Sequence, residues 1–493
     1  MNKNIQLILL SLLSMVIYSQ DGTLDTAFGG NGFVVTDFYG EHDQSHSIIQ
    51  QSDGKIVSFG FAEYGNIDIL ARYLPNGDLD VTFGTNGKVV HDLDSDHGYI
   101  FYVDTSLHQQ SDGKIITAAT YLNTNGEQDI IMVRYLENGN IDTSFGIDGL
   151  VKTHFGVDEI ASTLLLPDGK IVVGGTSTVG DSRYLLVAKY LSNGSLDISF
   201  GVNGMVTSYI NDYPTYAFPL VLQPDGKILI AYRKQESNNL RTLMFQRYLE
   251  NGQLDTSFGN AGTVTTNIVA GLLYGTIALK SNGNILAAIR LGDPILAQFL
   301  PNGEPDISFG TNGRKSIDVP SRIPFKLLLD ENENILISGN EFGFEIGSYY
   351  LTRFDPDGEL DPTFGSNGET ILGFESGEII MQSDHKILIT GCTYWYSGPV
   401  DFVIARLNND VLDVSESQLE NFVLYPNPSN GIFTLKSMSG FTSEMTFVVT
   451  DVSGKILQKS TITDIHTDIN LSEASNGLYF LKVSEATFKL LKN

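Results

Sequence analysis

Short apolar runs cut by polar turn signals return along the chain in a fixed order. A connector of the form Leu-Asp-x-x-Phe-Gly opens at Asp21–Gly32 and recurs with its phenylalanine at Phe28, Phe83, Phe145, Phe200, Phe258, Phe309 and Phe364, on average every 56 residues. A second marker, QSDGKIV in its first copy, and a third, LARYL in its first copy, keep step with it through all seven copies. Self-similarity at this period marks a repeat architecture.

Each unit reads as four strands: a run after the connector such as Gly87–His91, an apolar run into the Asp-Gly turn, a run out of it, and the Arg-Tyr-Leu run. Asp-Gly between alternating runs predicts a tight hairpin with both central residues at positive φ. Four antiparallel strands repeated radially make an all-β, seven-bladed β-propeller. A stacked β-solenoid is the second solution, but solenoid coils usually repeat on shorter periods. In the propeller reading every blade is contiguous in sequence and the strand after the connector lies innermost. The last blade lacks its own intact connector, so the N-terminal copy supplies it, with Phe28 wedged between the last and first blades.

The connector has its own logic. Asp25, Asp80, Asp142, Asp197, Asp255, Asp306 and Asp361 are placed to cap a single helical turn through the carboxylate. The phenylalanine three residues later can then be buried between blades. Identical chemistry at seven sites points to a joint, not to catalysis.

After Asn409 the pattern changes. LYPNPSNGIFTL at Leu424–Leu435, VVTDVSGKIL at Val448–Leu457 and NGLYFLKV at Asn476–Val483 alternate in period two between turn residues, as in a small β-sandwich. At the other end, Lys3 precedes an apolar run, Ile5–Ile17, too short to span a bilayer comfortably and proportioned like a secretory signal. The expected division is a signal peptide at 1–20, a propeller at 21–413, a linker at 414–420 and a C-terminal sorting sandwich at 421–493.

Composition narrows the function. Fifty-eight acidic against 30 basic residues give a net charge of -28, which repels phosphates and argues against nucleic acid as a partner. The single Cys392 rules out a disulfide framework. No later apolar run is long enough to cross a membrane, so the mature protein is expected to have no span.

The repeat markers resemble the delta-60 repeat of exported bacterial proteins, a family without an established common activity. The C-terminal segment resembles the type A sorting domain of the type IX secretion system of Bacteroidetes. The carrying residues are Tyr425, Pro426, Asn427 and Pro428, then Asp451–Lys455 with Gly454, then Gly477 and Tyr479, and the basic tail Lys489–Lys492. The resemblance implies the type IX machinery as partner and delivery through the periplasm to the outer cell surface or the medium.

Candidate chemistry lies in loops that vary between copies, because variable loops on a rigid scaffold commonly carry binding. Glu41–His46 and His91–Gly98 are the richest, with His42, His46 and His97 as candidate ligand-binding residues. Asp92, Asp94 and Asp96 have the alternate spacing of a calcium loop, although His97 replaces its turning glycine and Val103 its closing glutamate. Calcium is the candidate cofactor, and a solvated acidic turn is the plainer reading. Asp37, Asp92, His154, Asn267 and Asp318 all fall nine residues after a connector phenylalanine, a place expected beside the central channel. Tyr394, Trp395 and Tyr396 offer aromatic planes to a sugar. With no recognised catalytic constellation, the expectation is an exported, non-enzymatic binding or surface-structure module for a glycan or surface ligand. The alternative is an extracellular polysaccharide lyase or hydrolase.

Overall fold

The computed structural model describes residues 20–38, 40, 42–62, 67–92, 97–100, 105–123, 128–211, 217–235, 240–270, 274–290, 294–317, 322–341, 349–393, 400–409, 422–425, 429–437, 445–451, 455–462, 464, 466–483 and 486–492. The chain divides into two compact units, Met1–Asn409 and Asp410–Asn493. Most of the expected signal segment and all of the expected linker lie outside the described residues.

The first unit is a ring of seven antiparallel sheets. In blade 1 the strands Gln44–Gln50, Ile56–Ala62, Ile67–Tyr73 and Lys88–Asp92 pair in sequence order. Blade 2 follows with an inner strand in two pieces, His97–Ile100 and Ser106–Gln109, both paired to Ile115–Asn123, then Gln128–Tyr135 and Leu150–Thr153. Four more blades occupy 157–211, 217–270, 274–316 and 322–372. The first strand of each blade touches that of the next, all the way round the ring, so these are the strands at the axis.

Two expectations are corrected here. The strand after each connector is outermost, because the connector folds the chain back beside the Arg-Tyr-Leu strand and leaves its other edge unpaired. The seven blades are also not all contiguous. Blade 7 has Glu375–Met381, Ile387–Cys392 and Phe402–Leu407 from the C-terminal end, and its outer strand is Phe33–Thr36 from the N-terminal end. Phe33 pairs with Ala405 and Thr36 with Phe402. The connector and its following strand belong to one unit, so the ring closes by borrowing both.

The Asp-Gly hairpins differ from expectation as well. Gly54 takes φ +82° while Asp53 does not cross zero, Gly54 N–H donates to Gln51 O, and Gln51 N–H donates to Lys55 O. This is a turn with one left-handed residue after it. Where the sequence drifts, Glu333 and His385 occupy the left-handed place at φ 63° and 66°.

The second unit packs a three-stranded sheet, Phe422–Tyr425, Ile432–Ser437 and His466–Asn470, on a four-stranded sheet. Alternate residues Phe433, Leu435, Phe447, Val449, Leu481 and Val483 face inward and form its core. The basic tail is the edge strand Ala486–Lys492, and the buried Lys492 ammonium donates to the carbonyls of Ser472 and Ala474.

Candidate functional site

The face carrying the connectors is a set of joints. In blade 1, Asp80 Oδ1 accepts the Thr82 N–H at 3.1 Å and its hydroxyl at 2.6 Å, while Arg72 Nε donates to Oδ2 at 2.8 Å. The turn closes by Phe83 N–H to Asp80 O, without an α-helix. The Arg72 guanidinium lies 4.5 Å from the Phe83 ring centre, and its Nη1 reaches Glu137 O in the next blade at 2.5 Å. Gly84 N–H bridges to Asn138 O of that blade. Arg134–Asp142, Arg247–Asp255 and Arg353–Asp361 repeat the 2.8 Å pair, and Gln298 substitutes an amide toward Asp306.

At closure the same joint spans the chain ends. Arg406 Nε meets Asp25 Oδ2 at 2.7 Å, lies 4.7 Å from the Phe28 ring centre and donates to Pro75 O of blade 1. Phe28 is fully buried. Burial alone would raise the connector carboxylates, but hydroxyl, amide and guanidinium donors outweigh it and hold Asp80 and Asp255 down to about 2. The basic residue of this joint was visible in the third marker, eight residues before the connector aspartate, and its role was missed.

The opposite face carries the crossovers from outer strand to next inner strand and the loops between second and third strands. His42 lies in the crossover from blade 7 to blade 1, where its Nδ1 accepts the Val400 N–H at 3.4 Å. His46 points within the inner strand of blade 1, 5.5 Å from the Phe61 ring, and burial pushes its pKa down to about 4. His97 opens the split inner strand of blade 2. Asp92 is the exposed last residue of blade 1's outer strand, and Asp94 and Asp96 lie outside the described residues, as do Asp318, Tyr394, Trp395 and Tyr396. In the second unit Tyr425 is 42% exposed, whereas Tyr479 is buried and donates to Ser475 O at 2.5 Å; Gly477 opens its strand, and Pro426, Asn427, Pro428 and Gly454 lie outside the described residues.

Asp37, Asp92, His154 and Asn267 stand at the solvent-facing outer strands and not beside the channel. This corrects the expectation, and the cause is the outermost position of the strand after the connector. What that register meets across the strand pair varies. In blade 3 it is Tyr184 opposite Tyr209, with ring centres 5.8 Å apart. In blade 2, His154 Nδ1 bonds Asp129 Oδ1 at 2.6 Å and Lys152 Nζ pairs with Oδ2 at 2.9 Å.

In blade 7 the corresponding residues are Asp37 and Asp401, and Asp43 of the crossover joins them. One oxygen from each lies within 4.8 Å of the others. Asp43 is fully buried; its Oδ2 accepts the Phe38 N–H at 2.5 Å, and its Oδ1 has no hydrogen-bond partner among the described residues. Burial, reinforced by the charges of Asp37 and Asp401, pushes Asp43 up to about 7, and burial and Asp37 also raise Asp401. Phe38 packs on Phe402 beneath the cluster at 5.4 Å. Asp37 was visible in its own right, nine residues after Phe28, but nothing in the spacing joined it to Asp401, more than 360 residues away.

Fold and tail together define an exported propeller protein with a C-terminal sorting domain. Residues 51–83, 110–145, 166–200, 223–258 and 382–410 match the family described as "Domain of unknown function (DUF5122) beta-propeller". Residues 423–493 match the "Secretion system C-terminal sorting domain". The chain therefore carries DUF5122 propeller repeats and a type IX sorting tail, which directs it to the outer surface or the medium. Among solved structures it is similar to the polysaccharide lyase Uly1, at 10% identity over 74% of this chain and 90% of that one, with a TM-score of 0.47. It is also similar to an ulvan lyase of family PL25, at 12% identity over 80% and 96%, TM-score 0.33. Drosophila Semaphorin 2a aligns at 8% identity over 92% and 86%, TM-score 0.31. Comparison with curated proteins returned no match.

Proposed function

We propose that the propeller is a non-enzymatic binding module, displayed or released by type IX secretion, that engages a glycan or surface ligand through its crossover face. The supporting observation is the division of labour between the two faces. Arg-Asp-Phe joints occupy the connector face in near-identical copies, so substitution there is restrained by inter-blade contacts. The other face carries different chemistry in three of its blades: a Tyr184–Tyr209 pair, an Asp129–His154–Lys152 group and an Asp37–Asp43–Asp401 cluster. A rigid scaffold with one varied face is a common arrangement for recognition.

The test is a thermal-shift and glycan-array screen of the purified mature chain, because a ligand that prefers the native state raises its apparent stability. Binding without turnover, weakened by Tyr184→Ala, is the expected result. Release of unsaturated or reducing sugar ends from a polysaccharide would replace this reading with the lyase or hydrolase alternative.

A further inference from the structure

We propose that Asp37, Asp43 and Asp401 hold one divalent cation, calcium by the chemistry of the set, at the point where the two ends of the propeller chain meet. Three oxygen donors with no nitrogen or sulfur suit a hard cation. Calcium accepts irregular carboxylate geometry and completes its shell with water, whereas magnesium demands near-ideal octahedral geometry. The site is distinct from the Asp92 loop, which belongs to the next blade.

Two observations support a ligand here beyond the clustering of acids. The first is Asp43, fully buried with Oδ1 unsatisfied. A buried polar atom left without a partner is costly, and an ion is one of the few things that repairs it. The second is the internal control in blade 2. There the residue equivalent to Asp37 is His154, and Lys152 stands where blade 7 has Val35, so the Asp129 carboxylate is satisfied on both oxygens by protein cations or donors. Blade 7 keeps the aspartate, removes both partners and adds two more carboxylates. The Lys88 charge acts on Asp43 but is outweighed by burial and the two other carboxylates. Lys88 donates to the backbone carbonyl of Asp37 and lies 5.2 Å from the Phe38 ring, and no ion pair among the described residues joins it to the three carboxylates. His42 Nδ1 is engaged by the Val400 N–H.

The cation has a structural consequence. Asp37 and Asp43 flank the crossover that follows the borrowed outer strand, and Asp401 precedes the strand it pairs with. One ion therefore ties the N-terminal strand to the last blade. Extracellular modules bind calcium at about 10⁻⁴–10⁻³ M, so the tie forms in a calcium-containing exterior.

The experiment uses the mature chain stripped with chelator, then titrated with calcium by calorimetry and melted with and without 10 mM calcium chloride. Sodium chloride at equal ionic strength controls for general screening of the acidic surface. One calcium per chain at this site is expected, with a melting rise of about 2–5 °C above the salt control. Asp43→Asn and Asp401→Asn should each weaken binding at least about tenfold, while Asp92→Asn leaves it unchanged. Metal-free Asp43→Asn should melt no lower than the parent, since it removes a buried carboxylate from beside two others; should it fail to fold, exposed Asp37→Asn carries the same test. Calcium responses that persist in these variants, or that sodium chloride reproduces, overturn the proposal. So does a response lost in Asp92→Asn instead, which moves the site to the His91–Gly98 loop.

Discussion

At the outer corner of blade 2, a buried aspartate accepts from a histidine on the neighbouring strand and pairs with a lysine two residues before it. At the same corner of blade 7, the aspartate faces a second aspartate, and a third is buried beside them. Both corners sit on one backbone register: Thr153 pairs with Ile130 in blade 2, and Thr36 pairs with Phe402 in blade 7. The difference lies in the partners of that aspartate, with Asp37 in place of His154, Val35 in place of Lys152 and Asp43 buried beside them, and in connectivity. Blade 2 is a continuous stretch of chain whose corner only has to be neutral. Blade 7 is assembled from both ends of the propeller, and its corner is the place where an added ligand can secure that assembly. The same scaffold position is thus neutralised internally in one blade and left to an external cation in another.

Three measurements test the contrast between the two corners and the joints that carry them. The largest effect is expected at the inter-blade joints, compared at the closing connector of blade 7, which carries Phe28, and at the contiguous connector of blade 3, which carries Phe200. Phe28 and Phe200 are both buried between blades, so Phe28→Ala and Phe200→Ala should each cost about 3–5 kcal/mol in urea unfolding. Hydrogen exchange should separate them: Phe28→Ala exposes the Phe33–Thr36 amides first, and Phe200→Ala leaves them protected. A near-silent Phe28→Ala would mean that closure does not depend on the N-terminal connector.

An intermediate effect is expected with pH. The Asp43 pKa in the folded protein, about 7, stands above its ordinary 3.8. Its contribution to stability is therefore complete below about pH 4 and is lost as pH rises through 7. Asp68, buried against the Tyr121 hydroxyl and also pushed up to about 7, has the same sign. Metal-free protein should thus lose stability between pH 4 and 8, and Asp43→Asn should reduce the slope. The connector aspartates act oppositely: Asp80 and Asp255, held at about 2, contribute above about pH 4 and lose that contribution as pH falls toward 2. Unfolding curves from pH 2 to 8 should accordingly show a metal-free maximum near pH 4–5. An unchanged slope in Asp43→Asn would remove Asp43 as its source.

The smallest effect is expected on transplanting one corner into the other. Val35→Lys with Asp37→His copies the blade 2 partners into blade 7. Partly exposed ion pairs contribute about 0–1 kcal/mol, so stability without metal should rise by no more than that, while the calcium response disappears. Retention of the full calcium response in this double variant would contradict the equivalence of the two corners.

Much of this molecule was legible in its sequence because repetition averages out local noise. Seven copies of Asp-x-x-Phe-Gly, five of them preceded by Leu, identify the connector, and the missing eighth copy after Leu407 points to Phe28 as the closing wedge. The alternation in 448–457 and 476–483 likewise defines the sorting sandwich, since a period of two buries one face of a strand. Radial order was not legible. A repeat has no intrinsic beginning, so the strand after the connector could be counted as first or last, and only pairing of Phe33–Thr36 with Phe402–Leu407 assigns it to the outer edge. The Asp37–Asp43–Asp401 cluster was hidden for a related reason. Sequence reports proximity along the chain, while ring closure brings together residues from its two ends, and the burial that leaves Asp43 Oδ1 unsatisfied exists only once the blades have packed. Local pattern along the chain sets the blade and its joint, whereas ring closure sets which acids meet.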